Sequence, residues 1–152
     1  MNPTRQQLID AMEHISFEMN RYLYTTKPIR LPGRYNEIVA ESCLLHSRNI
    51  GEFFFEKANP RYDDIRFEHY HNELISTEEL QTEINKLKSK WRSYKPRVNT
   101  KLSHLTFDRV NSKPMNVQEK NDLNFDTLID LFEKNLPIDF RAKWDKGKSF
   151  SK

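Results

Sequence analysis

The run Arg97-Val98-Asn99-Thr100-Lys101-Leu102-Ser103-His104 holds the sharpest chemical pairing in the chain. Arg97 and His104 are separated by two helical turns, so on one helix they differ by only ~20° about the axis. Thr100, Lys101 and Asp108 fall alongside. Pro96 suits the first position of a helix, which places Arg97 at an expected helix N-terminus. Unpaired N–H groups and the positive dipole end favour a phosphate there. An imidazole close to its working pKa, facing a phosphate-binding arginine, suits RNA cleavage by attack of an internal 2′-hydroxyl. His104 would be the general base and Arg97 the stabiliser of developing charge. The same spacing fits a plainer role, with His104 packed beside Leu105 and Arg97 in solvent.

A helical chain with arginine, six intervening residues and histidine at the start of a late helix resembles the HEPN superfamily. The resemblance covers residues 4–136 and rests on Arg97 and His104. It implies a helical bundle that cuts RNA without metal or other cofactor, in a toxin–antitoxin or phage-defence setting. It also implies a homo-oligomer, typically a dimer whose two Arg–His motifs meet in one cleft. The superfamily has non-catalytic members too. The alternative to an enzyme is therefore a helical interaction module that dimerises or docks on a larger protein.

A second resemblance is looser and broader. His46-Ser47-Arg48-Asn49, Phe53-Phe54, Asp63-Asp64 and His104-Leu105-Thr106 with Arg109 are similar to a group of small bacterial helical proteins that carry no established activity. It suggests one polar cluster of His46, Arg48, Asn49, Asp64, His104 and Arg109 between the second and fourth helices. Such a cluster either binds a ligand or forms a satisfied network that fixes helix register.

These residues need elements to position them. Thr4 and Gln7 have the spacing of a capping box, which opens a helix over about residues 4–24. Its stripe is Leu8, Met12, Ile15, Met19 and Tyr22, with His14, Glu18 and Arg21 on a solvated face. A second helix over about 35–56 carries Val39, Cys43, His46, Ile50, Phe53 and Phe54. It is apolar around enough of its circumference to be central. Ser76 and Glu79 repeat the capping-box spacing and open a third helix with Leu80, Ile84, Leu87, Trp91 and Tyr94. A fourth, over about 97–110, would bury Val98, Leu102 and Leu105, and a short last helix runs over about 125–135. No segment alternates long enough for a strand. The expected fold is an all-α bundle of four main helices plus shorter ones, one domain over residues 1–140.

The chain is 152 residues with three glycines, so a glycine-loop nucleotide binder is not expected. The single cysteine, Cys43, excludes an internal disulfide and a cysteine-rich zinc site. His69 and His71 lack the further ligands of a familiar metal site and read as surface residues. No apolar run reaches the ~20 residues that span a bilayer, and the first residues lack the apolar core of a secretory signal, so a cytoplasmic location is expected. Net charge is +3. The segment 141–152 holds Arg141, Lys143, Lys146, Lys148 and Lys152 against Asp145. It reads as a flexible basic tail, available to nucleic acid, RNA included, or to an acidic partner.

Overall fold

Thr4 caps the start of the first helix as its spacing predicts. Its hydroxyl accepts the Gln7 N–H at 3.3 Å, and its own N–H donates to Gln7 Oε1 at 2.8 Å. The computed structural model describes residues 2–27, 35–59, 64–102 and 123–149. Among them are five α-helices: α1 (Arg5–Thr26), α2 (Tyr35–Phe55), α3 (Glu78–Leu102), α4 (Asp126–Lys134) and α5 (Ile138–Ser149). A 3-10 turn, Phe67–Tyr70, precedes α3. There is no strand among the described residues, and the fold is all-α.

α1 packs along both α5 and α2, α2 packs on α3, and α3 on α4. The α1 stripe buries Leu8, Met12, Ser16, Met19 and Tyr22, with Ile15 at its margin. Aromatic rings fill the centre. Phe132 of α4 meets Phe53 at 5.6 Å, Phe54 at 5.5 Å and Tyr70 at 6.0 Å, each edge to face. That arrangement sets ring edges against the negative faces of neighbouring rings. The two buried phenols are satisfied through backbone. Tyr70 donates to the Leu8 carbonyl at 2.9 Å, and Tyr22 donates to Leu123 and accepts from the Phe125 N–H. Burial drives both hydroxyls well above the ordinary tyrosine range.

Two elements differ from expectation. α3 does not stop at Pro96 but continues through it to Leu102. A proline inside a helix forfeits one hydrogen bond and costs roughly 3 kcal/mol. Here Pro96 is on the exposed side, while Trp91, Tyr94 and Val98 extend one buried stripe past it. Trp91 also donates to Glu56 at 3.0 Å, and Lys95 pairs with the same carboxylate. Arg97 therefore sits in the C-terminal part of α3 and not at a helix start. The remainder of the expected fourth helix, residues 103–110, lies outside the described residues.

The second difference is the C-terminal segment. Residues 141–149 are not a flexible tail but most of α5, with Phe140, Trp144 and Gly147 buried. Glycine is what lets α5 approach α1. A Cβ at Gly147 would stand 2.3 Å from the Glu13 carbonyl oxygen. The Ser16 hydroxyl crosses the same seam and donates to the Trp144 carbonyl at 2.6 Å. Gly51 does the same for α2 and α3, since a Cβ there would meet the Trp91 ring at 2.3 Å.

Candidate functional site

α1 and α2 are joined through one carboxylate. Glu18 Oε2 lies 2.8 Å from His46 Nδ1 and 2.9 Å from Asn49 Nδ2. His46 and Asn49 are three apart on α2, one face of a helix. An ionised carboxylate only accepts, so Nδ1 of His46 carries the proton and its other ring nitrogen is the acceptor while the ring is neutral. Phe17 holds the imidazole edge-on, with centroids 6.5 Å apart. Burial of Glu18 by itself would raise its carboxyl. The hydrogen bonds from His46 and Asn49 outweigh that and hold it below the ordinary glutamate value.

Glu18 and Asn49 face a cleft of about 170 Å³ between α1, α2 and the segment before the 3-10 turn. Met19, Ile50 and Phe53 line its apolar side, and His14 and Arg66 complete the polar one. Arg66 Nη2 pairs with Asp64 at 3.0 Å, and its buried Nε has no hydrogen-bond partner. His46 does not line the cleft. It stands behind Glu18 and is 8% exposed. A carboxylate that orients an imidazole is an acid–base arrangement only where the imidazole reaches substrate. Here the order is reversed, and the imidazole orients the carboxylate.

The expected polar cluster is thus divided. His46 and Asn49 meet on Glu18. Arg48 turns away to Glu52 on its own helix at 3.1 Å, and Asp64 is engaged by Arg66. His104 and Arg109 lie outside the described residues. Arg97 is exposed within α3, where no helix start adds free N–H groups to it. The sequence reading missed Glu18, which it placed in solvent, and Arg66. The available signal was indirect: a histidine and an asparagine three apart on a buried helix require an acceptor from elsewhere.

The remaining candidates are structural. Cys43 is 2% exposed in the core. His69 Nδ1 accepts the Arg66 N–H at 3.1 Å and so closes the 3-10 turn, while His71 is exposed. No group of three or more metal-ligating side chains occurs among the described residues. No helix among them is long and apolar enough to cross a membrane.

Comparison with protein-family models, with curated proteins and with solved structures finds no match for this chain.

Proposed function

We propose that the protein is a non-catalytic helical interaction module, which dimerises or docks on a larger partner protein. The observation that carries this reading is the use made of the polar residues. Each described member of the expected cluster is engaged within the chain: His46 and Asn49 by Glu18, Arg48 by Glu52, Asp64 by Arg66. The Glu18 contacts tie α1 to α2, Arg48 and Asp64 are held locally, and the His46 imidazole does not face the cleft, although His14 does. Exposed apolar residues add support. Ile38 and Leu45 on α2 are 59% and 45% exposed, and their spacing of seven puts them on one face.

A metal-independent ribonuclease of the HEPN kind is the second reading. What favours it is the exposed position of Arg97 on α3. The two readings part on whether the folded wild type cleaves RNA, and His46→Ala tests the strut on which the first rests. As a strut, His46 should cost about 1–3 kcal/mol of stability when removed, because Glu18 loses a partner. The variant should show no change in any RNA-cleaving activity beyond the loss of folded protein. Full stability in His46→Ala, measured by urea unfolding, would remove the strut and the main support for the module reading.

A further inference from the structure

Charge is distributed over the folded molecule differently from its distribution along the chain. The described basic residues of α5 are engaged within the molecule. Lys143 pairs with Asp10 at 3.0 Å, Lys146 with Glu13 at 2.9 Å, and Lys148 with Glu133. Arg141 donates to the carbonyls that end α4. α3 is the opposite case. Between Lys86 and Lys101 the sequence has seven basic residues and no acidic one. Lys86 reaches back to Glu83 and Lys95 across to Glu56. Lys88, Lys90 and Arg92 are exposed and form no ion pair among the described residues.

The arrangement around the helix axis is specific. At about 100° per residue, the buried stripe of Leu87, Trp91, Tyr94 and Val98 has Lys86 and Lys90 on one flank. Lys88, Arg92 and Lys95 lie on the other. The outer ridge between the flanks is uncharged and exposed: Asn85, Ser89, Ser93 and Pro96. The exposed arc covers roughly 200°, and the stretch from Asn85 to Arg97 rises about 18 Å.

We propose that α3 docks in the major groove of B-form duplex DNA. This rests on the non-catalytic part of the interaction-module reading and goes beyond it, since the ligand is duplex DNA and not a second protein. A helix with its side chains is about 10–12 Å across, and the B-form major groove is about 12 Å wide. A helix seated there faces a phosphate strand on each side, which the two basic flanks match. Its outermost ridge meets base edges, where serine and asparagine donate and accept hydrogen bonds. An acidic protein surface does not call for two flanks separated by an uncharged ridge. The deep, narrow major groove of A-form RNA does not admit a helix.

The test is fluorescence anisotropy with a labelled DNA duplex of about 20 base pairs, across a salt series, using the full chain. Lys88→Ala, Lys90→Ala and Arg92→Ala are combined in one variant. Alanine favours helix, and circular dichroism checks that the fold is kept. The combined variant should bind at least roughly tenfold more weakly at 0.1 M salt, with the salt slope flattened by about two to three units. Lys143→Ala with Lys146→Ala should change neither. No binding of duplex DNA by the wild type overturns the proposal, as does unchanged binding by the α3 variant. Equal binding of duplex RNA, or binding of polyglutamate in place of DNA, also overturns it while leaving the module reading in place. Specific RNA cleavage by the wild type would instead remove the module reading and the DNA proposal with it.

Discussion

One oxygen, Glu18 Oε2, accepts two hydrogen bonds that cross from α2 to α1. It also gives stability a pH dependence of definite sign. The folded carboxyl sits below its ordinary value, while the unfolded chain has the ordinary one. The stabilisation is therefore full above the ordinary glutamate range and is lost as pH falls through the lowered folded value. Glu18→Gln removes that contribution. The stability gap between wild type and Glu18→Gln should be widest at neutral pH and narrow through the acid limb, as followed by urea midpoints. A gap independent of pH would show that the charge of Glu18 is not what holds the two side chains. This residue was not legible in the sequence. It lies on a helix face that reads as solvated, and its partners are 28 and 31 residues away. Thr4 and Gln7 were legible because a capping box is complete within one turn.

At the level of elements, local signals were readable where the apolar stripe was long and misleading where it was punctuated. Leu80, Ile84, Leu87, Trp91 and Tyr94 identify α3, and each is buried. Pro96 reads as a boundary, yet burial of Val98 beyond it keeps the helix going. α5 is harder to see. It buries two large apolar side chains, Phe140 and Trp144, and its third anchor is a glycine that reads as a helix breaker. Its lysines read as solvated because Asp10 and Glu13 are far away in sequence. The element is nonetheless central, since both rings are fully buried against the bundle. Trp144→Ala should cost about 3–5 kcal/mol. Truncation after Pro137 should abolish cooperative unfolding, because α1 loses the helix along its length. A truncated chain that melts cooperatively near the wild-type temperature would restore the picture of a dispensable tail.

Over the whole molecule, the all-α class follows from helical periodicity alone, but the distribution of charge does not. Summing the sequence assigns the net positive charge to its last twelve residues and nearly none to the remainder. Folding pairs Lys143 and Lys146 with acids of α1, while Lys88, Lys90 and Arg92 stay in solvent on α3. Which charges are free is a tertiary property, and composition does not contain it. On the proposed reading this molecule works by binding and leaves RNA uncut. The most direct measurement is end-group analysis of structured RNA incubated with the wild type and with Arg97→Ala, in the presence of a chelator. Both proteins should leave the RNA intact. New ends bearing a 2′,3′-cyclic phosphate with the wild type, lost in a folded Arg97→Ala variant, would contradict it.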